Sequence, residues 1–327
     1  RRPAPPQTSD VLSCSVRASQ RSGPAGGVLG SPHAWQRVQL PPGAFPELDR
    51  LPLRRALGEG EARRLAYRRR DGEVKSTVHW GQRKLLLAEL EFLAEFGGLA
   101  RRVVYAGAAP GDHLALLCGL FPDHSVQAWD PRPFAAGLAG GEGAPGNLEL
   151  HQEVFSDDVA HQLVRGGGPL LFISDIRTAD WQADSPEEHD AHLLADLQAQ
   201  RRWFQILRPA QALLKFRLPY ADGATEYLAG EVRLPVWGPQ TTTECRLVAG
   251  SPRDGGPAPL ARYDHREHLE RLFYFNTVER VSTHPRPEEA AADPEAAERA
   301  LLGAGLCRCF DCSREVQVLS ALLRARG

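Results

Sequence analysis

The chain has 327 residues, of which 42% are hydrophobic and 24% are charged, and its formal net charge is -2. This composition is typical of a globular protein and excludes a disordered chain, and a net charge this small provides no whole-molecule attraction to nucleic acid. No apolar run approaches the length of a membrane span and the N-terminus lacks the apolar stretch of a signal peptide, so we expect a soluble protein, not secreted, with no membrane partner.

The N-terminal part of the chain differs in composition from the rest. Residues 1–46 are rich in Pro, Gly, Ser and Arg with little periodicity, which predicts a mobile arm. Residues 47–327 are expected to form a single domain with terminal additions. Near its start lies an arginine cluster, which indicates either a solvated face or a surface that contacts phosphates: Arg54, Arg55, Arg63, Arg64, Arg68, Arg69 and Arg70.

From residue 81 onward, helical and strand patterns alternate. A helix is predicted over 81–96, and 101–121 reads as a strand, a glycine-rich turn and a helix. This alternation predicts an α/β fold whose mostly parallel central sheet carries helices on both faces. The further predicted strands are 124–130, 147–152, 168–177, 210–217 and 241–250, and the further predicted helices are 186–207, 265–276 and 313–325.

The glycine-rich turn "YAGAAPGDH" indicates a nucleoside site. Gly107 and Gly111 would let the backbone approach a ligand closely, but the turn is neither G-x-G-x-x-G nor a Walker motif, which disfavours phosphate binding. Asp130 ends the next strand, about twenty residues on, where an acid can accept hydrogen bonds from both ribose hydroxyls. The pair suits NAD or S-adenosylmethionine, and the Ala-Pro-Gly form favours the latter. Asp130 as a simple strand end is the alternative.

Lysine is rare in this chain: there are three lysines among 39 basic residues. Lys84 lies on the helix entering the fold, Lys215 and Asp175 end predicted strands, and Glu244 lies on the late strand. Ends of strands that converge on one rim would gather these four charges in one cleft. A lysine that is partly desolvated beside a second cation has a lowered pKa and can act as a general base, whereas arginine stays protonated. Turn or surface roles are the alternative for each residue.

Five motifs occur in an order that resembles a known viral family: "GQRKLLLAELEFL", "VVYAGAAPGDH", "LFISDIR", "ALLKFRLPYAD" and "TTTECRL". From about residue 47 to the end, the chain is similar to the poxvirus cap-specific mRNA 2'-O-methyltransferases, which also serve as the small, processivity-conferring subunit of the viral poly(A) polymerase. The resemblance implies a Rossmann-like S-adenosylmethionine-dependent methyltransferase fold. It also implies methyl transfer to the ribose 2'-hydroxyl of the first transcribed nucleotide, which converts cap 0 to cap 1, with no metal.

The resemblance also assigns roles to residues. Lys215 would deprotonate the 2'-hydroxyl, Asp175 and Glu244 would position it, and Lys84 would help to tune its pKa. The residues expected to bind S-adenosyl-L-methionine are Gln82, Tyr105, Gly107, Gly111, His113, Asp130, Arg132, Phe155 and Asp175, with Phe155 against the adenine.

The family grips the methylated guanine of the cap between two aromatic rings, because a cation gains from stacking on their faces. One ring matches Tyr220, where the family commonly has phenylalanine, and the other is Tyr67 after a small gap. Asp222 would accept hydrogen bonds from the guanine edge. For a second acid, ungapped alignment gives Leu269, so Glu267 or Glu270 would have to take that place.

The implied partners are capped mRNA and, in a heterodimer, the catalytic subunit of a viral poly(A) polymerase. The implied location is the virion and the host cytoplasm. Two alternatives remain open: a non-enzymatic polymerase subunit, and a ribosomal RNA 2'-O-methyltransferase that shares the four charged residues but has no need of Tyr220 and Asp222.

Overall fold

The fold is described from a computed structural model. The structure describes residues 51, 53–58, 63–68, 77–138, 144–180, 183–238, 240–281 and 309–326, without the side chains of 77–82, 323, 325 and 326. The predicted arm at 1–46 lies outside these residues, as do Lys75, Arg69 and Arg70. The arm and the extent of the domain therefore stay predictions.

The described residues build one seven-stranded sheet in the order β3-β2-β1-β4-β5-β8-β7. Strands β1 to β5 run parallel, β8 is antiparallel to β5, and β7 is antiparallel to β8. The predicted fold class, α/β with a mostly parallel central sheet, is confirmed. The strands are β1 (Arg102–Ala106), β2 (Ser125–Trp129), β3 (Leu148–His151), β4 (Leu170–Ser174), β5 (Gln211–Phe216), β7 (Glu231–Arg233) and β8 (Cys245–Ala249).

Helices cover both faces of this sheet because the strands bury apolar side chains on both sides. Alternate residues of a strand point to opposite faces, so Val103 and Tyr105 join one core cluster whereas Val104 and Ala106 join the other. Helices α1 (Thr77–Phe96), α2 (Leu114–Leu120) and α6 (Phe310–Arg326) cover the first face. Helices α3 (Asp157–Arg165), α4 (Pro186–Leu207) and α5 (His265–Tyr274), with the π-helical turn Phe275–Glu279, cover the second.

The predicted helix at 186–207 is confirmed, and its local sequence explains its start. Ser185 accepts a hydrogen bond from the main chain of Glu188, Glu188 accepts one from the main chain of Ser185, and Pro186 occupies the first turn. These features satisfy N–H groups that a helix start leaves unpaired. Helix α1 begins at Thr77, four residues before the predicted start at 81.

The sequence patterns missed a small second sheet and the edge of the main one. Strands β6 (Ala224–Leu228) and β9 (Leu260–Asp264) form a separate antiparallel pair, and β7 has three residues. The predicted strand 241–250 is shorter, since β8 begins at Cys245 and residues 241–244 form the loop before it. Among the described residues, the longest and most apolar helices still fall short of what a membrane span requires.

Candidate active site

The glycine turn lies where the strand order reverses, between β1 and β4, which is the usual ligand crevice of such sheets. Gly107 has φ +82°, and a Cβ there would lie 2.7 Å from the main-chain nitrogen of Ile176. The N–H of Gly107 donates to the carbonyl of Trp129 (2.8 Å), and the N–H of Asp175 donates to that of Ala106 (2.9 Å). Only glycine fits between these strand ends, because any side chain would collide with the main chain after β4.

Asp130 is 1% exposed, and protein donors occupy its carboxylate. Oδ1 accepts from the main-chain N (2.9 Å) and Nε (3.0 Å) of Arg132, and Oδ2 accepts from the N of Ala109 (3.0 Å) and from Nη2 of Arg132 (2.9 Å). Burial alone would raise the pKa of this carboxyl, but the bonds from Arg132 and Ala109 outweigh burial and lower the pKa. The side chain of Arg132 is 63% exposed, so its outward movement would open Asp130 to a ribose.

Tyr105 and His113 lie beneath the turn and share one buried acid. The Tyr105 hydroxyl donates to Oε1 of Glu89 (2.6 Å), and Nε2 of His113 lies 2.9 Å from Oε2 of the same residue. All three residues are 0% exposed, and burial together with the charge of Glu89 raises the pKa of Tyr105. Their side chains therefore support the turn from the core, and contact with a ligand is left to the main chain. Sequence reasoning missed Glu89, because a charged residue inside a helix usually indicates a solvated face.

Two other residues predicted to bind the cofactor, Phe155 and Gln82, are not confirmed in that role. Phe155 is a core residue rather than a ring lining the site: it is 4% exposed and packs edge-on against Trp129 (5.4 Å) and Trp203 (4.9 Å). The apolar side chain that this loop exposes is its neighbour Val154, at 65%. Gln82 lies in α1, but its side chain is outside the described residues, so its contact stays a prediction.

The four predicted catalytic residues lie together. Lys84 Nζ donates to Glu244 Oε1 (2.5 Å), and Lys215 Nζ lies 3.1 Å from Asp175 Oδ1 and 3.7 Å from Glu244 Oε2. The side chains of all four are 15% to 21% exposed, so the cluster is largely buried yet reachable. Glu244 bridges the two lysines, and Asp175 holds Lys215 from the other side.

A fifth charge, which sequence reasoning missed, belongs to this cluster. Arg246 Nη2 donates to Asp175 Oδ1 (2.8 Å), and its Nη1 lies 3.3 Å from Glu244 Oε1. Its side chain is 5% exposed, and in the strand register Arg246 of β8 lies directly opposite Lys215 of β5. The described cluster thus sets three cations against two carboxylates.

The alternation of side chains explains why these residues meet. Leu213 on β5 and Val248 on β8 point into the hydrophobic core that α1 covers. Lys215 and Arg246 lie two residues away on the same strands, so they point to the same face of the sheet. Asp175 follows Ile173 at the same spacing beyond β4. Helix α1 covers this face and therefore brings Lys84 over the strand ends.

The crowding of charges shifts two pKa values in the cluster. Burial lowers the pKa of Lys84; Glu244 opposes this shift, whereas Arg246 and Lys215 add to it. For Glu244 burial would raise the pKa, but Lys215, Lys84 and Arg246 together hold it well below its ordinary value. Glu244 is therefore ionised in the folded protein at neutral pH.

The two predicted cap rings also lie together. The ring centroids of Tyr67 and Tyr220 are 5.6 Å apart at 33°, and Phe273 packs edge-on against Tyr67 at 5.5 Å. Tyr220 is 43% exposed, and Asp222 is exposed beside it. A base stacked between two rings needs about 7 Å, twice the optimal carbon contact distance, so the rings must separate by more than about 1 Å to admit one.

The structure narrows the choice of a second acid. Leu269 is 5% exposed and carries no acceptor in its side chain, so the ungapped alternative is excluded. Glu267 forms an ion pair with Arg271, and Glu270 forms one with Arg266 (3.1 Å). The carbonyl of Glu270 accepts a hydrogen bond from the N–H of Leu65 (3.2 Å), which places Glu270 beside the segment that carries Tyr67.

The predicted arginine cluster is not one surface. Arg54 pairs with Glu279 (3.2 Å), and Arg55 pairs with Glu91 (3.0 Å), so these two arginines serve the fold. The remaining described members, Arg63, Arg64 and Arg68, are exposed on the segment that carries Tyr67.

A small cleft of about 60 Å³ borders the charged cluster. Lys215 and Glu244 line one part of it, and Arg217 and His189 line another. Arg217 Nη2 donates to the Tyr220 hydroxyl (2.7 Å), and the His189 and Tyr220 rings are 6.1 Å apart. Arg217 and His189, which line the cleft with Lys215, thus both lie next to Tyr220.

The sheet order, the glycine turn at its reversal point and the acid after β2 define a Rossmann-like protein with the methyltransferase fold. Residues 63–284 match the family model described as "Poly A polymerase regulatory subunit". The chain belongs to this family.

Two curated relatives carry one name, "Cap-specific mRNA (nucleoside-2'-O-)-methyltransferase". The fowlpox virus protein (strain NVSL) is 29% identical over 217 residues, which cover 60% of this chain and 67% of that protein. The myxoma virus protein (strain Lausanne) is 30% identical over 218 residues, which cover 62% of each. The matched part thus spans about two thirds of these relatives. Among solved structures, bluetongue virus VP4, described as "a multifunctional RNA-capping production-line", is similar to this chain with a TM-score of 0.43 and 13% sequence identity. The alignment covers 68% of this chain and 34% of the VP4 chain.

Proposed function

We propose that this chain transfers a methyl group from S-adenosyl-L-methionine to the 2'-hydroxyl of the first transcribed nucleotide of capped mRNA. The observation that carries the proposal is the buried cluster of Lys215, Asp175, Glu244 and Lys84 beside the glycine turn at the reversal point of the sheet. The names of the two relatives agree with it.

The residues around the turn fit this cofactor. Asp130 offers a carboxylate to a ribose diol once Arg132 swings outward, and Gly107 and Gly111 keep the turn free of side chains. Bound S-adenosylmethionine would supply a methyl group activated by the adjacent sulfonium. Val154 presents apolar surface at the same edge of the sheet.

In this proposal Lys215 takes the proton from the hydroxyl that receives the methyl group. Asp175 and Glu244 fix its amine from two sides. Lys84 and Arg246 add two further cations to the same largely buried cluster, in which Asp175 and Glu244 are the two carboxylates. The fixed amine holds the hydroxyl in a reactive orientation, which contributes to rate apart from proton transfer.

The test is transfer of label from S-adenosylmethionine to capped RNA. Lys215→Arg keeps the positive charge but cannot accept the proton, so we expect turnover to fall by about 10²-fold to 10⁴-fold while cofactor binding survives. Lys75→Arg, the same change at another lysine, should leave turnover unchanged. Undiminished transfer by Lys215→Arg would defeat the proposed mechanism, and transfer to uncapped ribosomal RNA alone would favour that alternative substrate.

A second candidate function rests on the family description, poly A polymerase regulatory subunit. We propose that the chain also forms a heterodimer with the catalytic subunit of a viral poly(A) polymerase, in the virion and the host cytoplasm. Lys215→Arg should then still extend poly(A) tails with that partner, because the buried cluster offers no docking surface. Loss of tail extension together with methyl transfer would contradict two separable roles.

A further inference from the structure

The loop that carries Tyr220 and Asp222 has no regular secondary structure, yet side chains from two helices hold its main chain. Asp190, in the first turns of α4, accepts hydrogen bonds from the N–H of Tyr220 (3.2 Å to Oδ1 and 3.1 Å to Oδ2). It also accepts one from the N–H of Ala221 (3.1 Å). One carboxylate therefore fixes two consecutive peptide groups.

The opposite side of the same loop is held by His265, the first residue of α5. Its ring Nδ1 lies 2.8 Å from the carbonyl of Ala221, and its Nε2 lies 2.8 Å from the Thr225 hydroxyl. Because a carbonyl only accepts, Nδ1 carries the proton here. The N–H of His265 donates to the carbonyl of Gly223 (3.0 Å), so α5 grips both ends of the turn.

Helix α4 also touches the strand that carries the catalytic amine. Gln200, ten residues after Asp190, donates from Nε2 to the carbonyl of Lys215 (3.1 Å). Ten residues of α-helix rise by about 15 Å, and a packed helix does not stretch. A single rigid element therefore holds Lys215 at one point and the Tyr220 loop at another.

We propose that Asp190, assisted by His265, is a positioning residue for recognition of the cap. It presents the ring of Tyr220 and the carboxylate of Asp222 to the methylated guanine at a fixed distance from Lys215. Neither Asp190 nor His265 touches the guanine in this proposal, because both bond the main chain while the side chains of Tyr220 and Asp222 stay exposed. The inference rests on the cap-dependent function proposed above.

The test compares Asp190→Ala with Glu187→Ala, which removes an exposed carboxylate from the same part of α4. Binding of a methylated cap analogue is followed by fluorescence quenching, and binding of S-adenosylmethionine and thermal unfolding report on the fold. Loss of hydrogen bonds to two peptide groups should weaken cap-analogue binding about tenfold, with cofactor binding unchanged. Asp190→Asn, which keeps one acceptor oxygen, should fall between wild type and Asp190→Ala. Glu187→Ala should match wild type.

With capped RNA, Asp190→Ala should raise KM about tenfold and leave kcat nearly unchanged, a split that general loosening of the fold would not produce. Equal cap binding by wild type and Asp190→Ala, or equal loss in Glu187→Ala, would overturn the inference while the proposed activity stands. Absence of cap binding in the wild-type protein would overturn both. If Asp190→Ala does not fold, Asp190→Asn decides alone, and wild-type cap affinity in that variant would refute the role.

Discussion

Replacing Glu244 with Gln removes the charge that bridges the cluster while keeping its shape. Glu244 lies 2.5 Å from Lys84, 3.7 Å from Lys215 and 3.3 Å from Arg246. After the change, three largely buried cations face Asp175 alone. We expect Glu244→Gln to destabilise the protein and to remove methyl transfer.

The magnitude follows from the burial of these groups. Removing one partner of a buried ion pair costs about 3–5 kcal/mol, because the other charge stays buried without compensation. Lys84 can relieve part of this cost by releasing its proton, since its pKa is already lowered by burial and by the neighbouring cations. We therefore expect a loss near the lower end, about 3 kcal/mol at neutral pH.

The effect also has a definite pH dependence. The folded pKa of Glu244 lies well below its ordinary value of about 4.3. As pH falls, the unfolded chain binds this proton first, so the stabilisation is full above about pH 4.3 and disappears as pH falls through the folded pKa. The difference in stability between wild type and Glu244→Gln should shrink over that acid range.

Urea unfolding at neutral and at acid pH measures both quantities. The control is Glu226→Gln, the same chemical change at a residue that pairs with Arg201 on the surface (3.6 Å, 66% exposed), where the cost should stay below about 1 kcal/mol. Equal free energies of unfolding for Glu244→Gln and wild type at neutral pH would refute the view that Glu244 neutralises buried cations. A difference that does not change with pH would refute its assigned pKa direction.

Three further predictions concern the turn and the rings. Arg132→Ala should raise the pKa of Asp130, because burial remains while the Arg132 side-chain bonds are lost; carboxyl NMR titration measures this, and an unchanged pKa would contradict the network. Gly107→Ala should lower the free energy of unfolding in urea by about 2–4 kcal/mol, because it combines a positive φ with a main-chain collision. In the control Gly137→Ala the new methyl group meets nothing within 4 Å, so the loss should stay under about 1 kcal/mol, and equal losses would refute the packing argument. Tyr67→Ala should weaken cap-analogue binding at least tenfold by removing one ring face, and should leave S-adenosylmethionine binding intact; a matched loss in both would indicate unfolding instead.

The sequence predicted most of the fold because its signals are local. Helix α4 was predicted with its observed bounds, since Ser185 and Glu188 form a capping box around Pro186. Lys215 stood out because lysine is rare among so many arginines. Strand β7 was missed because it has only three residues at the edge of the main sheet. Strands β6 and β9 are as long as β1, but they pair only with each other in a separate antiparallel sheet, where tertiary contacts outweigh the local pattern.

The errors in the predicted site, Arg246 missed and Phe155 misplaced, have a different cause from the errors in the fold. Arg246 carries no signal as one arginine among many, although it lies on β8 only two residues after Glu244, the last residue of the preceding loop. Phe155 was assigned to the adenine by resemblance alone, and the aromatic core of Trp129 and Trp203 absorbs it instead. Which of two neighbouring residues faces a ligand is decided by packing between distant segments, which a single sequence does not display.

Helix α1 contributes one side chain to the charged cluster and another to the support beneath the glycine turn. Lys84 reaches Glu244 at the strand ends, and Glu89, five residues later, reaches Tyr105 and His113 beneath the glycine turn. Each residue of an α-helix adds a rotation of about 100° and a rise of about 1.5 Å. A single inserted residue between Lys84 and Glu89 would therefore swing one of them away from its partners, whichever way the helix settled. The number of residues between Lys84 and Glu89 is therefore fixed by the fold, because changing it would break the contacts either of the charged cluster or of the glycine turn.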